Sequence, residues 1–269
     1  MAEKTFRDLE YEGWTARAAT YDDHFAELTR GAIGPILDSF GALAGRQLLD
    51  VGSGTGHLAA AAAARGARVL GVDFAETMVA RAGRNYPEVR FEAGDAEALA
   101  HADESFDAVS CSFALLHLSR PEAAIAEARR VLRPGGRYSF TLWRGPEDGC
   151  AFFALTRGAI VEHGETDVGL PPGPPAYELL EDTASKLAAA GFAETELRDL
   201  PLVWRSPSTQ GVLDAVYKGG VRTAMVLRAQ TEERRARIER AILDGAERHR
   251  VDGQVELAMP AVLVTARKA

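Results

Sequence analysis

The amino-acid sequence predicts an α/β fold, a doubly wound and mostly parallel β-sheet packed between helices. In the first half of the chain, apolar runs of strand length alternate with helical patterns, an order that favours parallel strands joined by crossover helices. A glycine-rich turn joins the first of these strands to the helix that follows, which is typical of ligand-binding α/β sheets. With 269 residues, the chain is long enough for one such domain with additional segments.

The composition is that of an ordinary globular protein, with 46% hydrophobic and 26% charged residues. Two cysteines are too few for a disulfide framework or a four-cysteine zinc site. The 31 Lys and Arg against 39 Asp and Glu give a net charge of −8, which argues against sequence-independent binding to nucleic acid. No N-terminal stretch resembles a signal peptide, and no run approaches the roughly 20 apolar residues that cross a bilayer. We therefore expect a soluble, cytoplasmic protein without nucleic-acid or membrane partners.

Five strands are predicted in the first half, and their largely apolar character suits parallel strands that are buried on both faces. They cover residues 47–51, 68–72, 89–93, 106–111 and 137–142. Helical patterns lie between them at 55–65, 75–85 and 121–132, and a further helical segment at 21–43 precedes the first strand. The helix at 121–132 starts with proline and is followed by Arg-Pro-Gly-Gly, which are typical start and stop signals.

The second half of the chain is less regular. Helices are predicted at 152–162 and 178–190, with a proline-rich extended loop at 170–175 between them. A strand is predicted at 195–203, one or two helices at 211–250 and a final strand at 255–266. Pro260 interrupts this final strand and indicates a bulge or an edge position. The segment between the last two strands exceeds a normal crossover, so we expect an insertion that covers a site.

A glycine-rich loop follows the first strand. Residues 48–58 read LLDVGSGTGHL, so Gly52, Gly54 and Gly56 stand at alternate positions before a helix. Glycine allows a tight turn and lets a ligand approach the backbone closely, and the helix start offers free N–H groups to an anionic group. A plain strand-to-helix turn would also use glycine, so the loop alone does not establish a site.

Acidic residues accompany three successive strands. Asp50 lies in the first strand, Asp73 follows Gly56 by 17 residues at the end of the second, and Asp95 comes after the third. An acid at the position of Asp73 can accept hydrogen bonds from two ribose hydroxyls. Any one of these acids could instead cap a helix, but three of them beside a glycine loop predict a ligand crevice at the carboxyl ends of the strands.

Five segments between about residues 48 and 142 together resemble a known family. They read, in order, LLDVGSGTGHLA, GVDFAETMVARA, GDAEAL, FDAVSCSFALLHL and VLRPGGRYSF. In this order and at this spacing the chain resembles the class I S-adenosylmethionine-dependent methyltransferases, in the small-molecule branch that includes ubiquinone and menaquinone biosynthesis enzymes. The resemblance implies a Rossmann-like, mostly parallel sheet of seven strands in the order 3-2-1-4-5-7-6, with the last strand antiparallel.

The resemblance also implies how a single methyltransferase domain, residues 1–269, is organised. Residues 1–44 are expected to form an N-terminal helical lid, 45–145 the cofactor-binding core, and 205–252 a helical insertion that acts as a substrate lid. Two interpretations of this insertion remain open. Its helix could be a solvated amphipathic helix that is stabilised by charge pairs four residues apart. Alternatively, its apolar face and the N-terminal helix could form a lid that selects a small-molecule methyl acceptor, with one arginine of the insertion meeting an acidic group on the acceptor.

Site residues follow from the resemblance, motif by motif. The implied cofactor is S-adenosylmethionine, which becomes S-adenosylhomocysteine, and no metal is implied. The methionine end is expected at the loop residues Asp50, Gly52, Ser53, Gly54 and Gly56, flanked by Ser112. Tyr21 belongs to the N-terminal segment that folds over the cofactor in relatives. Asp73 is expected at the ribose, and Phe74, Met78, Asp95 and the Ala96 backbone at the adenine, although Phe74 and Met78 would equally suit a plain core.

Methyl transfer from a sulfonium is an in-line displacement, so holding donor and acceptor in line within a dry cavity supplies much of the rate. A base is needed only where the acceptor must lose a proton early, and His117, which follows the fourth strand, is the candidate catalytic residue. The same segment lacks the Asn/Asp-Pro-Pro-aromatic motif of enzymes that methylate nucleobases or glutamine amides. A small organic acceptor, methylated at oxygen or carbon, is therefore predicted.

Two alternative functions remain open. A protein with this pocket could bind S-adenosylmethionine without turnover. A nicotinamide-dependent oxidoreductase would also use a glycine loop, but the G-x-G-x-x-G pattern requires glycine where this chain has His57.

Overall fold

The computed structural model describes residues 4–174, 180 and 182–269, and a seven-stranded β-sheet lies at its centre. The strands of this sheet are β1 (Gln47–Val51), β2 (Arg68–Asp73), β3 (Arg90–Ala93), β4 (Phe106–Ser112), β5 (Leu132–Trp143), β6 (Phe192–Leu200) and β10 (Ala261–Lys268). They lie in the order β3-β2-β1-β4-β5-β10-β6. Neighbours among β1 to β5 are parallel, whereas β10 is antiparallel to both β5 and β6. The predicted fold class, strand order and antiparallel strand are confirmed.

Helices precede, connect and follow these strands. They are α1 (Phe6–Arg17), α2 (Ala26–Arg30), α3 (Ile33–Ser39), α4 (His57–Ala64), α5 (Glu76–Asn85), α6 (Pro121–Val131), α7 (Ala151–His163), α8 (Thr183–Ala189), α9 (Gln210–Asp214), α10 (Arg222–Ala229) and α11 (Glu232–Glu247). Short 3₁₀ turns lie at Tyr21–Asp23, Leu115–His117 and Pro146–Asp148, and a π-helical turn lies at Ala215–Gly219. No described helix is both long enough and apolar enough to span a lipid bilayer.

The sheet is buried on both faces because side chains alternate along each strand. In β1, Leu49 packs in a cluster with residues of α6, whereas Leu48 packs in a second cluster with residues of α3 and α4. Both leucines are fully buried. This two-sided packing explains why the first strands read as nearly continuous apolar runs, and it places their carboxyl ends side by side at one edge.

α1 begins well before the predicted helical segment at 21–43. Thr5 and Asp8 form a capping box in which each side chain accepts a hydrogen bond from the other residue's backbone N–H. The buried face of α1 includes Glu10 and Arg17, so charged residues stand where a helical pattern would show apolar ones. The predicted segment at 21–43 is not continuous, because a 3₁₀ turn, α2 and α3 follow one another within it.

The prediction of one final strand at 255–266 is wrong. Residues Gln254–Ala258 form β9 and residues Ala261–Lys268 form β10, in two different sheets. Pro260 lies between them and ends the first strand, since proline has no N–H for a ladder. β10 is also not an edge strand, because it lies between β5 and β6. Likewise, the predicted strand at 195–203 is divided between β6 and β7 (Val203–Ser206).

The insertion at 205–252 is not wholly helical. Strands β7, β8 (Arg250–Val251) and β9 form a small antiparallel sheet in the order β7-β9-β8 at its two ends. Three helices, α9, α10 and α11, and the π-helical turn lie between these strands, where one or two helices were predicted. Trp204, Val212, Ile238 and Leu257 pack into one core there with residues of α7.

Two predictions in the middle of the chain fall partly outside the described residues. Residues 170–174 of the proline-rich loop belong to no helix or strand, and residue 175 is not described. α8 is the described part of the helix predicted at 178–190, of which residues 178, 179 and 181 are not described.

Candidate active site

A cavity of about 600 Å³ opens at the carboxyl ends of β1, β2 and β4. Val51 borders it from β1, Gly52 from the glycine loop after β1, Asp73 from β2 and Ser112 from β4. Residues of α1 and of the segment before α10 line it from the other side. Open α/β sheets bind ligands at this edge, so this cavity is the candidate site.

The glycine loop adopts left-handed backbone conformations, with φ of 66° at Gly52, 52° at Gly54 and 91° at Gly56, which residues with a Cβ rarely adopt. A Cβ at Gly52 would collide with the methyl group of Ala114, and a Cβ at Gly56 with the ring of Phe91. At Gly54, no described protein atom lies within 4 Å of the Cβ position. The backbone at Gly54 is therefore open to a ligand, whereas Gly56 is required by packing at the start of α4.

Asp73 lines the cavity at the end of β2 and is 7% exposed. One carboxyl oxygen accepts a hydrogen bond from the backbone N–H of Gly54 and the other from that of Ala75, each at 2.9 Å. Burial raises the pKa of Asp73 above its ordinary value, and the two hydrogen bonds oppose that rise. Because each carboxylate oxygen can accept two hydrogen bonds, Asp73 can still accept one at each oxygen from adjacent ligand hydroxyls.

Asp95 lines the cavity just after β3, next to the buried Ala96. Its Oδ1 accepts a hydrogen bond from the backbone N–H of Glu97, and its Oδ2 accepts one from the guanidinium of Arg7 in α1, each at 2.9 Å. Asp95 is thus both a turn residue and an ion-pair partner of α1. It retains free lone pairs toward the cavity.

Phe74, Met78 and Tyr21 form an apolar part of the cavity wall. Met78 is 2% exposed and packs with Trp14, Tyr21 and Phe74 in one cluster. The ring of Tyr11 in α1 meets Phe74 edge-on with the centroids 5.7 Å apart. These side chains therefore serve as core for α1 and as a wall for a ligand at the same time. Burial raises the pKa of Tyr21 above its ordinary value, which keeps its hydroxyl neutral.

Asp50, Ser53 and Gly56 stand behind the part of the cavity wall that the structure describes. Asp50 is 1% exposed, and its Oδ1 accepts a hydrogen bond of 2.8 Å from the hydroxyl of Ser110. Its Oδ2 and the Ser53 hydroxyl are buried and have no hydrogen-bond partner among the described residues. Burial raises the pKa of Asp50 to about 7. The structure thus brings the other predicted site residues to the cavity but keeps these three one layer back.

His117 lines the cavity from the turn after β4, and residues of α1 surround it. Its Nδ1 lies 2.9 Å from Oε2 of Glu10, and the indole N–H of Trp14 donates to the same oxygen at 3.0 Å. Glu10 was not predicted as a site residue. In a helix, Glu10 lies on the same face as Phe6, Leu9 and Gly13, which would have marked it as a buried carboxylate. This pattern can be recognised only when α1 is known to be a helix.

Part of the cavity wall is apolar and aromatic. Phe113 and Trp143 stack there with ring centroids 3.9 Å apart. The remaining apolar residues in this part of the wall include Phe25, Leu116, Phe153, Ile160, Val161, Val226 and Met259, and the cations Arg157 and Arg222 also line it. Most of these residues come from α7 and from the insertion. No local sequence motif marks them as cavity residues.

The described residues form no metal centre, and the Cys111 thiol is not suited to act as a nucleophile. No group of three or more His, Cys, Asp or Glu side chains in those residues could hold a metal ion. Cys111 in β4 is 1% exposed, and burial raises the pKa of its thiol to about 12. A thiolate at Cys111 is therefore strongly disfavoured near neutral pH.

Comparison with known proteins places the chain among enzymes of one family. Residues 49–140 match a family model described as a methyltransferase domain. A demethylmenaquinone methyltransferase of Clavibacter sepedonicus is 33% identical over 177 residues, which cover 59% of this chain and 70% of that protein. A demethylmenaquinone methyltransferase of Beutenbergia cavernae is 38% identical over 149 residues, which cover 55% of this chain and 61% of that protein.

A solved structure adds a likeness over most of the fold. The 4+2 cyclase SpnF has a TM-score of 0.57 and 26% identity, and the match covers 89% of this chain and 81% of that one. The chain spans 43%, 61% and 60% of the length of three of the curated relatives it matches. The sheet order, the glycine loop and these similarities agree. The chain belongs to the class I S-adenosylmethionine-dependent methyltransferases.

Proposed function

We propose that this protein transfers a methyl group from S-adenosylmethionine to oxygen or carbon of a small organic acceptor. The observation that carries this proposal is that these groups line one and the same cavity. The open backbone at Gly54, the carboxyl group of Asp73 and a set of apolar side chains all border it. A methyltransferase needs this combination, because donor and acceptor must be aligned together with water excluded.

The residues of the cavity fit the cofactor. The open backbone at Gly54 has room for the methionine end, and the spare lone pairs of Asp73 match the two ribose hydroxyls. The apolar pair Phe74 and Met78 and the acceptor groups of Asp95 suit adenine. We propose that Gly52, Ser112, Tyr21 and Ala96 contact the cofactor as well, and that Asp50, Ser53 and Gly56 shape the loop from behind. When bound, the cofactor supplies an electrophilic methyl group.

The apolar part of the cavity wall supports a flat, largely apolar acceptor. The stacked pair Phe113 and Trp143 offers aromatic surface to a planar ring. Demethylmenaquinone methyltransferases are relatives of this chain, and their name gives a quinone as the acceptor. We therefore propose hydroquinones and related phenols as the first acceptor class. Arg222, an arginine of the insertion, lines the same cavity and is the candidate partner for an acidic group on the acceptor.

We propose that residues 1–44 and 205–252 form a lid over the cofactor-binding core at 45–145. The two lid segments contact each other directly. The guanidinium of Arg17 donates to the carbonyl oxygen of Gly220, and the Thr20 hydroxyl donates to that of Lys218 at 3.2 Å. Gly13 also packs so closely against Val221 that a Cβ there would collide with its side chain. Such contacts allow the two segments to move as one unit.

Methyl transfer is tested with S-adenosylmethionine labelled in its methyl group. The protein is incubated with 1,4-naphthohydroquinone and, separately, with small-molecule cell extract, and mass spectrometry detects labelled products. Label in an organic product, lost in Asp73→Ala, supports the proposal. The proposal is overturned if the protein binds S-adenosylhomocysteine by calorimetry but labels no compound in either sample.

That second outcome would favour a cofactor-binding protein without methyl transfer. The likeness to SpnF, a protein described as a 4+2 cyclase, shows that this fold is not confined to proteins named as methyltransferases. The labelling experiment separates the two functions, since only a methyltransferase moves the label.

A further inference from the structure

A buried carboxylate faces the candidate base. Glu10 lies in the middle of α1 and is 0% exposed. Carboxylates are almost never fully buried unless they are paired. The partners of Glu10 are Nδ1 of His117 at 2.9 Å and the indole N–H of Trp14 at 3.0 Å, and both meet the same oxygen, Oε2. The pairing joins residues that are 107 positions apart in the chain.

The geometry of this cluster holds the imidazole in one orientation. Trp14 meets the ring of His117 edge-on, with centroids 4.8 Å apart and an interplanar angle of 81°. Trp14 and His117 line the cavity, and so does Asp73. His117 therefore shares the cavity with the residue that we assign to the cofactor ribose.

The chemistry of the pair decides which ring nitrogen carries the proton. A carboxylate only accepts hydrogen bonds, and a neutral imidazole has one donor nitrogen and one acceptor nitrogen. Nδ1 opposite Glu10 must therefore be the donor, which leaves Nε2 as the acceptor. No hydrogen bond to Nε2 occurs within the described part of the chain.

We propose that Glu10 is a positioning residue that holds His117 with Nδ1 protonated, so that Nε2 removes a proton from the hydroxyl group of the methyl acceptor. This inference rests on the proposed methyl transfer and deepens it. A phenol or enol acceptor gains from such a base, because its hydroxyl group must lose a proton.

The proton step balances at named atoms. The O–H bond of the acceptor breaks, its proton becomes bonded to Nε2, and its electron pair stays on the acceptor. That pair would form the new bond to the methyl group, either at the oxygen or, through the conjugated ring, at the neighbouring carbon, while the bond between the methyl group and the donor's sulfur would break and leave its electron pair on sulfur. After attack at carbon, the hydrogen of that carbon would leave as a proton to water. The carboxylate of Glu10 stabilises the resulting imidazolium, which returns its proton to water after the product leaves.

The first test is direct observation of the tautomer, which needs no turnover. Nitrogen-15 NMR of histidine-labelled protein at pH 8, with the His117 signals identified from the His117→Asn variant, should show Nδ1 protonated and Nε2 bare. In Glu10→Met this preference should be lost, whereas the matched change Glu12→Met, on the exposed side of α1 where Glu12 pairs with Lys4, should leave it intact. A protonated Nε2 in the wild-type protein would overturn the proposal, even if Glu10→Met does not fold.

The second test is kinetic. With 1,4-naphthohydroquinone as the probe, Glu10→Gln should lower kcat by roughly 10²-fold, a typical contribution of a positioned base, while the affinity for S-adenosylhomocysteine changes less than about threefold (under 1 kcal/mol). Glu12→Gln should change neither kcat nor this affinity. If folded Glu10→Gln keeps the kcat of the wild-type protein, Glu10 has no positioning role and only packs α1 against the loop after β4.

Failure of the proposed function has a different signature. If the wild-type protein labels neither the hydroquinone nor any extract compound, methyl transfer to such acceptors is wrong whatever the tautomer. If the wild-type protein labels the hydroquinone but His117 shows a protonated Nε2, methyl transfer stands and the role of Glu10 is wrong.

Discussion

Asp50 and Asp73 are buried carboxyl groups on neighbouring strands, yet their surroundings give them different properties. Asp73 accepts hydrogen bonds from two backbone N–H groups beside the cavity. Asp50 accepts one from Ser110 and has a second oxygen without a partner among the described residues. Asp73 is therefore the candidate to bind a ligand, whereas Asp50 is the candidate to make folding stability depend on pH.

Replacement of Asp73 by alanine is expected to weaken cofactor binding. The change removes up to two hydrogen bonds to a charged acceptor, each of about 1.5–3 kcal/mol, so calorimetry should show the affinity for S-adenosylhomocysteine reduced at least roughly tenfold. Asp199→Ala is the control, because Asp199 lies in β6 and pairs with Arg144 at the exposed surface. Equal affinity of the wild-type protein and folded Asp73→Ala would exclude Asp73 from the ribose site.

Asp50 should make folding stability depend on pH. Its pKa is about 7 in the folded chain against an ordinary value of 3.8, so between these values the folded chain holds a proton that the unfolded chain has lost. The contribution of Asp50 to the free energy of unfolding therefore falls as the pH rises from about 4 to about 7. Asparagine cannot ionise, so Asp50→Asn should gain stability relative to the wild-type protein across that window, by up to about 4 kcal/mol.

Urea unfolding at pH 4.5 and pH 8 measures this difference for Asp50→Asn. Asp199→Asn, at an exposed carboxyl group with 73% side-chain exposure, should show far less change between the two conditions. If the stability of Asp50→Asn relative to the wild-type protein is the same at both pH values, the carboxyl group is ionised in the folded chain throughout.

At the scale of elements, α1 and its continuation are joined to both the core and the insertion. Asp22 accepts hydrogen bonds from the Thr55 hydroxyl at 2.7 Å and from Nε2 of His57 at 2.8 Å, at the start of α4. Burial by itself would raise the pKa of Asp22, but these hydrogen bonds lower it below its ordinary value. On the other side, α1 packs on the insertion where Gly13 meets Val221.

Gly13→Ala is therefore expected to loosen the lid. The added methyl group collides with Val221, which is 2% exposed, and overpacking of this kind costs about 1–3 kcal/mol. Hydrogen exchange should be faster by about tenfold or more in α1 and in the segment before α10, while β1 to β5 remain unchanged. Gly34→Ala in α3 is the matched control, because no described atom lies within 4 Å of a Cβ there. Unchanged exchange in α1 of Gly13→Ala would contradict the packing argument.

At the scale of the whole molecule, the parallel strands form a stable base and the segments above the cavity are candidates for motion. Lids that close over ligands come from the less stable parts of a fold. Hydrogen exchange of residues 14–25 and 211–250 should therefore slow when S-adenosylhomocysteine and 1,4-naphthohydroquinone are bound together, with little change in the sheet. If hydrogen exchange in both segments is identical with and without the ligands, these segments do not act as a lid.

Features of this protein that depend on local chemistry could be predicted from its amino-acid sequence. Strand β1 was predicted at its observed bounds, and β2 and β4 each to within one residue at the end, because strands buried on both faces must be apolar throughout. The position of the glycine loop was evident for a similar reason, since the left-handed backbone at Gly52, Gly54 and Gly56 strongly favours glycine. The motif order then indicated the family and the strand order of the sheet.

The contacts between distant segments could not be predicted in this way, because they depend on how the whole chain packs. The pattern at residues 255–266 predicts one strand, but β9 and β10 belong to two different sheets. A local pattern does not indicate with which other strand a strand pairs. Glu10 reads as a surface residue of a charged segment until α1 packs across the sheet edge and buries it against His117. Burial and pairing at long range are set by the packing of the whole chain, whereas local patterns report only local preferences. Most residues that line the proposed cofactor part of the cavity were therefore predictable, but the neighbour of the candidate base was not.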